Sequence, residues 1–267
     1  MLLLDGKVAR DFYAQILSAK IRTLGFSPTL AIIQVGDNPS STTYIKQKKN
    51  FAEKIGATVE HIQFSADVSF EEIKTKIHLL NGNSHIHGII VQLPLSENLD
   101  KMSVINLILP SKDVDGLAKN TKFVPATARG IKALLDFYHI EVAGKKVAML
   151  GRSTLVGAPT AYLLENSGAC VIVCHSKTTD TRDITRDSDI IVVAIGKSKL
   201  IDESYIGENR PVVIDVGIHT ADGKTCGDVD FEKVSPLVSA ITPVPGGVGP
   251  MTVISLFENL VLAAEKA

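Results

Sequence analysis

The chain has no tryptophan, and only three of its 267 residues are cysteine. Cys170, Cys174 and Cys226 show neither metal-binding nor disulfide spacing, so the sequence predicts buried thiols. Neither sign of charge is in excess, since lysine and arginine number 28 against 29 for aspartate and glutamate. This balance gives no electrostatic reason to expect a nucleic acid or an anionic membrane surface as a partner.

Long hydrophobic runs are also lacking. No apolar run reaches the roughly 18 residues that a membrane-spanning helix needs. The leucines at positions 2–4 are followed at once by Asp5 and Lys7, which is not the pattern of a signal peptide. The sequence therefore predicts a soluble, cytoplasmic protein.

What the chain does have is a regular alternation of short apolar runs and amphipathic segments. Most of the runs are continuously apolar, as in parallel strands that helices cover on both faces. Predicted strands cover residues 30–35, 58–64, 88–93, 146–150, 169–174, 189–194 and 211–216, and predicted helices cover 7–24, 40–55, 69–81, 98–109, 127–138 and 155–166. This order predicts an α/β protein with two doubly wound domains, the second of Rossmann type, and a cleft between them.

A polar stretch at residues 111–122 follows Pro110 and interrupts the alternation. We expect a domain boundary there, because linkers between domains are polar and exposed. The prediction is a catalytic domain over residues 1–118, closed by a C-terminal helix within 246–267, and a nucleotide-binding domain over 119–245.

The predicted nucleotide-binding domain contains a strand, a glycine turn and a helix in succession. The strand ends at Leu150, and Gly151-Arg-Ser-Thr-Leu-Val-Gly157 leads into the helix. A dinucleotide-binding fold places phosphates against such a turn and the first turn of its helix. The spacing matches neither Gly-x-Gly-x-x-Gly nor the Walker pattern, so the loop indicates nucleotide binding without defining the family.

The next strand ends in Cys174-His-Ser-Lys-Thr178, where an NAD enzyme usually presents an acid to the ribose. No carboxylate occurs there before Asp180. Arg152 and Ser176, with Lys177, offer cations and a hydroxyl that suit a 2′-phosphate. The sequence therefore predicts NADP as the cofactor, with NAD as the alternative.

A possible acid–base pair lies in the first domain. Tyr44 and Lys48 are four residues apart, which places both side chains on one face of a helix. A lysine in a partly dry site has a lowered pKa and can transfer protons near neutrality. The alternative is a solvated basic face, because Lys46 and Lys49 lie in the same segment.

Three further polar groups come near the ends of predicted strands. Gln92 is a lone amide at the end of a buried strand, where α/β folds bind ligands, and Lys48 is its candidate partner. Asp113 and Asp115 lie in the polar stretch, with either a functional role or ordinary turn chemistry. His85 and His87 lack a third ligand, so no metal site is predicted.

Residues 242–252 combine three prolines and three glycines with no charge. Such a segment forms neither a regular strand nor a regular helix, and its bare backbone can lie against a planar molecule. The alternative is a simple connector to the helix that follows.

Taken together, these segments resemble the bifunctional methylenetetrahydrofolate dehydrogenase/methenyltetrahydrofolate cyclohydrolase family nearly end to end. The similarity is carried by Tyr44-Ile-x-x-Lys48, Val91-Gln-Leu-Pro-Leu95, Lys112-Asp-Val-Asp-Gly116, Gly151-Arg-Ser-x-x-Val-Gly157, Cys174-His-Ser-x-Thr178, Asp215-Val-Gly-Ile218 and the Pro-Val-Pro-Gly-Gly-Val-Gly-Pro-Met-Thr segment.

The resemblance implies oxidation of 5,10-methylenetetrahydrofolate by NADP, then hydrolysis to 10-formyltetrahydrofolate, within one-carbon metabolism that feeds purine, methionine and histidine biosynthesis. It also implies a homodimer and tetrahydrofolate derivatives as ligands. The implied catalytic residues are Lys48, Tyr44, Gln92 and Asp115. The implied substrate-binding residues are Tyr44, Gln92, Leu93, Asp115, Pro245, Gly246 and Gly249, and those for the cofactor are Gly151, Arg152, Ser153, Ser176, Ile218 and Thr252.

The chain departs from the family pattern at three places. Pro125-Ala-Thr-Ala128 replaces Pro-Cys-Thr-Pro, the connection between Gly116 and Pro125 is several residues shorter, and Asn50 replaces a common second lysine. The alternatives are therefore a monofunctional methylenetetrahydrofolate dehydrogenase and a folate- or nucleotide-binding protein without turnover.

Overall fold

The structure is a computed structural model that describes residues 1–221 and 223–266. Its described strands are β1 Leu2–Leu3, β2 Thr29–Val35, β3 Thr58–Phe64, β4 Gly88–Val91, β5 Lys146–Leu150, β6 Cys170–Cys174, β7 Ile190–Val193, β8 Val212–Asp215, β9 His219–Ala221, β10 Lys224–Cys226 and β11 Ala240–Ile241. Its described helices are α1 Gly6–Leu24, α2 Pro39–Ile55, α3 Phe70–Gly82, α4 Lys101–Ile105, α5 Ala126–Phe137, α6 Gly157–Asn166, α7 Thr181–Arg186, α8 Phe231–Val234 and α9 Val248–Ala264, with 3₁₀ turns at Glu203–Tyr205 and Ser235–Leu237.

The chain divides into two compact units. Unit 1 comprises Met1–Asp11 and Thr127–Thr252, and unit 2 comprises Phe12–Ala126 and Val253–Ala267. These bounds differ from the predicted division at residues 118/119 and 245/246, because β1 pairs with β11 and so joins the N-terminus to unit 1. Ala267, the last residue of the predicted closing segment, lies outside the described residues.

Unit 2 is built on a parallel sheet with the strand order β3-β2-β4. The central strand β2 is buried from Leu30 to Val35, and its core neighbours come from α3 and β4, among them Ile73 and Ile89. The helix α2 begins after Asn38, whose side chain accepts a hydrogen bond from the backbone of Ser41, and it ends at Gly56 in the left-handed region. These caps fix the length and direction of the helix that carries Tyr44 and Lys48.

Unit 1 is built on a parallel sheet with the order β1-β11-β8-β7-β5-β6, beside the antiparallel pair β9 and β10. The residues of β7 are completely buried, as are Ala148 of β5 and Val213 of β8. Continuously apolar strands of this kind are those of a parallel sheet covered on both faces. The predicted α/β class is confirmed.

Three local predictions are corrected. The helix expected over 98–109 is shorter and consists of α4 alone. After Ile105 the backbone N–H groups bond to the carbonyl three residues earlier, as Ile108 does to Ile105, instead of four residues earlier as in an α-helix. Cys170 is exposed rather than buried, since it begins the edge strand β6, and Cys226 is only partly buried. The segment 242–252 was predicted to form no regular helix, but its residues 248–252 belong to α9, which begins at Val248.

The helix α9 is strongly apolar, but it carries polar residues such as Glu258 and Asn259. No helix of the residues 1–221 and 223–266 is long and apolar enough to cross a membrane.

Candidate active site

The lysine–amide pairing expected from the sequence is present in unit 2. Lys48 Nζ donates a hydrogen bond to Gln92 Oε1 at 2.9 Å, and Gln92 directly follows β4. The other end of the amide is also used, because Gln92 Nε2 donates to the carbonyl of Leu93 at 2.9 Å. That carbonyl accepts a second hydrogen bond from Ser41 Oγ at 3.3 Å. The amide is therefore held from both ends and orients the amine.

The environment changes the proton affinities of the groups around this pair. Burial lowers the pKa of Lys48, and the attraction of Asp115 raises it by less. Burial raises the pKa of Asp115 above its usual range, while nearby Lys48 acts to lower it. Burial also raises the pKa of the Tyr44 phenol, which therefore stays protonated at neutral pH. The cluster holds a lysine that loses its proton more readily than usual and a phenol that can donate.

The two aspartates of the polar stretch have different environments. Asp113 is 1% exposed, and its Oδ2 accepts a hydrogen bond from the backbone of Ala118 at 2.8 Å. It stabilises the turn, as the alternative interpretation expected. Asp115 is only partly buried and lies close enough to Lys48 for the two charges to interact. Of the two carboxylates, Asp115 is the one available to a ligand.

Histidines 85 and 87 do not form a metal site in the described part of the chain. His87 Nδ1 accepts a hydrogen bond from the backbone of Thr29 at 3.1 Å, and its ring stacks on Phe26. No group of three or more histidine, cysteine, aspartate or glutamate side chains within 1–221 and 223–266 is arranged to hold a metal ion.

The proline- and glycine-rich segment leads into α9 and includes its first residues, 248–252. Gly246 has φ +117° and its carbonyl accepts a hydrogen bond from the backbone of Gly6 at 2.8 Å. Pro245 and Gly249 are exposed, and a Cβ atom added to Gly249 would have no heavy atom within 4 Å. The segment therefore offers open backbone surface at Gly249 and a conformation restricted to glycine at Gly246.

The glycine turn after β5 packs tightly against neighbouring backbone. Gly151 has φ +110°, and a Cβ there would lie 2.2 Å from the carbonyl oxygen of Ala194. A Cβ on Gly157 would lie 2.3 Å from the carbonyl oxygen of Gly151. Ser153 Oγ accepts hydrogen bonds at 3.2 Å from the backbone of Val156 and Gly157, so it caps α6 while its own O–H remains a donor. Glycine is required at both positions, because any side chain there would collide with a neighbouring backbone carbonyl.

The strand register brings two other predicted cofactor residues to the same edge of the sheet. Leu150 of β5 pairs with Cys174 of β6, and the two strands run parallel. Arg152 and Ser176 each lie two residues beyond these partners, and both are exposed. The register therefore places a cation and a hydroxyl beyond neighbouring strand ends, as a phosphate site needs.

Ile218 and Thr252 are the last predicted cofactor residues. Ile218 is 52% exposed and follows β8. Thr252 lies in the second turn of α9, where its hydroxyl donates to the carbonyl of Val248 at 3.3 Å and lies 3.5 Å from Thr127 Oγ1. Their contact with a cofactor remains a prediction.

A buried carboxylate that the sequence prediction missed ties two loops of unit 1 together. Asp228 is fully buried and accepts hydrogen bonds from the backbone of residues 195–197 at 2.6–2.9 Å and from His219 Nε2 at 2.7 Å. Residues 195–197 follow β7, and His219 comes directly after Ile218. Asp228 therefore fixes the loops beyond both β7 and β8.

Asp215, at the end of β8, supports Asp228. Its carboxylate accepts hydrogen bonds from the backbone of Gly217, Asp228 and Val229 at 2.9–3.0 Å. Burial raises the pKa of Asp215 to about 6, against these donors, which favour the ionised form. The sequence signal was the aspartate that ends a buried strand, together with Gly227-Asp228, where a Cβ on Gly227 would lie 1.8 Å from Asp215 Oδ2.

Comparison with known proteins supports both units. Residues 4–115 match the family model of the tetrahydrofolate dehydrogenase/cyclohydrolase catalytic domain, and residues 125–267 match that of the NAD(P)-binding domain of the same family. The "Bifunctional protein FolD" of Halalkalibacterium halodurans is 43% identical, over 99% of both chains.

Solved structures agree with these matches. The bifunctional methylenetetrahydrofolate dehydrogenase/cyclohydrolase of Campylobacter jejuni superimposes with a TM-score of 0.96 at 41% identity, over 100% of this chain and 99% of that one. The Trypanosoma brucei enzyme, solved with NADP cofactor and an inhibitor, gives a TM-score of 0.93 at 33% identity, over 100% of this chain and 98% of that one. The chain belongs to the tetrahydrofolate dehydrogenase/cyclohydrolase family, as the sequence resemblance predicted.

Proposed function

We propose which residues of this bifunctional dehydrogenase and cyclohydrolase serve each of its two reactions. The protein oxidises 5,10-methylenetetrahydrofolate and hydrolyses the methenyl product to 10-formyltetrahydrofolate, as its family and full-length relatives do. The observation that carries the assignment of residues is the hydrogen bond from Lys48 to Gln92, next to Asp115.

Lys48 is the proton-transfer group of the hydrolysis. Water adds to the methenyl carbon and loses one proton. The remaining hydroxyl proton is transferred to N5 as the bond from that carbon to N5 breaks, which leaves the formyl group on N10 and an N–H at N5. The neutral amine of Lys48 accepts the proton, because burial lowers its pKa. Gln92 holds the amine in place, and the protonated phenol of Tyr44 donates a hydrogen bond to the reacting region.

Asp115 binds the pterin edge of the folate. An ionised carboxylate accepts two hydrogen bonds, one from a ring N–H and one from the exocyclic amine. Burial raises the pKa of Asp115, and the positive charge that Lys48 carries before it loses its proton acts against this and favours the ionised form. Leu93, Pro245, Gly246 and Gly249 are the other residues proposed to bind the folate.

NADP binds unit 1 at the carboxyl ends of its parallel strands. The loop from Gly151 to Ser153 receives the diphosphate, and Arg152 with Ser176 receives the 2′-phosphate. Ile218 and Thr252 contact the nicotinamide half. The oxidation transfers a hydride from the one-carbon bridge to the bound nicotinamide, which gives the methenyl cation and NADPH.

A two-part assay tests the function and separates it from the alternatives. Purified protein with methylenetetrahydrofolate and NADP is expected to produce NADPH, and protein with methenyltetrahydrofolate alone is expected to produce the 10-formyl product. A monofunctional dehydrogenase would give only the first result, and a binding protein without turnover would give neither. A parallel assay with NAD measures the cofactor preference.

The proline- and glycine-rich segment is tested best at Gly249, in the first turn of α9. Gly249→Val adds bulk where no protein atom lies within 4 Å, so we expect a normal fold and a KM for the folate at least about tenfold higher. Gly246→Val is a poorer test, since φ of +117° strains any other residue. The control is Gly82→Val, another glycine with open space, and equal KM values for the two variants would remove the loop from the folate site.

The proposed homodimer forms along β3. This strand lies at an edge of its sheet, and beside it Ile62, Phe64 and Leu79 line a shallow groove, with Leu79 66% exposed. An edge strand next to apolar surface is suited to pairing with a second copy. Light scattering should give twice the chain mass of 28.6 kDa. Leu79→Glu should give monomers. The same substitution at the exposed Leu200, in unit 1, is the control and should leave the dimer intact. A dimeric Leu79→Glu protein would place the interface elsewhere.

The cytoplasmic location remains a prediction from the lack of long hydrophobic runs, and the lack of nucleic-acid or membrane partners remains a prediction from the charge balance of the chain. Cell fractionation with an antibody against the protein checks the location, and recovery in the membrane pellet would contradict it.

A further inference from the structure

The helix α9 carries a buried amide that contacts the loop of Asp115. Asn259 is fully buried among apolar neighbours that include Phe257 and Leu260. Its Nδ2 donates hydrogen bonds to the carbonyls of Val114 and Val124, both at 2.9 Å. Within the described part of the chain, its Oδ1 is buried and has no hydrogen-bond partner. A buried amide oxygen without a hydrogen-bond partner lowers the stability of the folded protein. The favourable contribution of this side chain therefore comes from its two hydrogen bonds to carbonyls.

The orientation of this amide follows from chemistry. Carbonyl oxygens only accept hydrogen bonds, and of the two ends of an asparagine amide only the NH₂ group donates. A flipped amide would place Oδ1 against both carbonyls. The NH₂ group therefore faces the loop, and its two protons serve the two carbonyls.

The two carbonyls belong to the two segments that hold Asp115. Val114 directly precedes Asp115, and Val124 lies two residues before Ala126, whose backbone N–H donates to the carbonyl of Asp115 at 3.0 Å. The segments touch closely, since a Cβ on Gly116 would lie 2.7 Å from the Cα of Pro125. Asn259 thus joins two adjacent segments, one within the polar stretch and one just after it, at the position of Asp115.

We propose that Asn259 is a positioning residue for Asp115, and that it sets the affinity for folate without taking part in either reaction. The proposal rests on the role of Asp115 in folate binding given above. The two hydrogen bonds fix the backbone from which the carboxylate extends, and a bidentate contact with a pterin edge tolerates little displacement. Releasing Val114 and Val124 weakens folate binding and leaves Lys48, on α2, in place.

The test is a double-mutant cycle with steady-state kinetics on the full-length enzyme. Asn259→Leu keeps the branched shape of the side chain and removes both donors. We expect it to raise the KM for methylene- and methenyltetrahydrofolate about tenfold. The KM for NADP and the kcat of hydrolysis are expected to stay within about twofold. In Asp115→Asn protein, adding Asn259→Leu should raise the folate KM by less than about twofold, because residues that act through one contact are not additive.

The matched control is Ser255→Ala. Ser255 lies one turn earlier on α9, is fully buried, and has a hydroxyl without a hydrogen-bond partner among the described residues. Its folate KM should equal that of the wild type. If Asn259→Leu does not fold, Asn259→Ser takes its place, since its single O–H donor should give an intermediate KM.

Three results would overturn the proposal. One is a folate KM for Asn259→Leu equal to that of Ser255→Ala, and another is full additivity with Asp115→Asn. The third is an Asp115→Asn enzyme with normal folate KM, which removes the role of Asp115 itself. A folate KM raised by Asp115→Asn but not by Asn259→Leu rejects only the positioning role.

Discussion

Lys48→Met is expected to lower the kcat for hydrolysis of methenyltetrahydrofolate by about 10²–10⁴, the usual contribution of a general acid–base group. The methionine keeps the length of the side chain but has no proton to exchange, and it leaves Gln92 Oε1 without its donor at 2.9 Å. The measurement follows loss of the methenyl absorbance without NADP, corrected for hydrolysis in buffer alone. Circular dichroism melting checks that the fold persists.

Lys46→Met is the control, because Lys46 lies on the same helix and is exposed. It should retain full activity. The wild-type rate should rise with pH as Lys48 loses its proton, with a midpoint below the ordinary lysine value of 10.5, since burial lowers that pKa. If Lys48→Met hydrolyses methenyltetrahydrofolate as fast as Lys46→Met does, Lys48 has no part in the mechanism.

Gly151→Ala is expected to lower the affinity for NADP at least about 100-fold, or about 2.7 kcal/mol. The new methyl group would lie 2.2 Å from the carbonyl oxygen of Ala194, and φ of +110° is unfavourable for alanine. The turn has to move, and its backbone N–H groups no longer meet the phosphates. Calorimetry measures NADP binding directly, and the dehydrogenase assay gives the matching rise in KM.

Gly144→Ala is the control that separates the effect of an unfavourable φ from the effect of a steric clash. Gly144 also lies in unit 1 with positive φ, +73°, but a Cβ there has no heavy atom within 4 Å. It should be slightly less stable and bind NADP normally. Hydrolysis of methenyltetrahydrofolate without NADP should survive in Gly151→Ala, because Lys48, Gln92 and Asp115 lie in unit 2. Normal NADP binding by Gly151→Ala would show that this turn does not hold the phosphates.

Most of the candidate site was readable from the sequence because its groups lie at fixed positions in regular elements. Tyr44 and Lys48 share a face of α2 through helical periodicity. Gln92 follows a buried strand, and a polar side chain at such a strand end needs a partner. The structure supplied that partner at 2.9 Å, as predicted. Hydrophobic periodicity likewise predicted most helices and strands to within a few residues.

The errors fall where long-range contacts decide. Residues 1–11 join unit 1 because β1 pairs with β11, more than 200 residues away, and no local pattern records this pairing. The sequence predicted no regular helix over residues 242–252 because Gly249 and Pro250 usually indicate a loop, but both lie in the first turn of α9. Proline is accepted there, since the first turn of a helix has no hydrogen bond to lose.

By itself, the sequence determined the family, the order of strands and helices, and the chemical identity of the reacting groups, since these follow from local periodicity and motif spacing. Only the tertiary structure decided which polar residues act together. Asp113 supports a turn while Asp115 stays available, Asp228 joins two loops, and Asn259 reaches back to Val114 from 145 residues away. The reason is physical: burial and hydrogen-bond partners arise from contacts between distant segments, and they set the pKa of a side chain and the position of a loop.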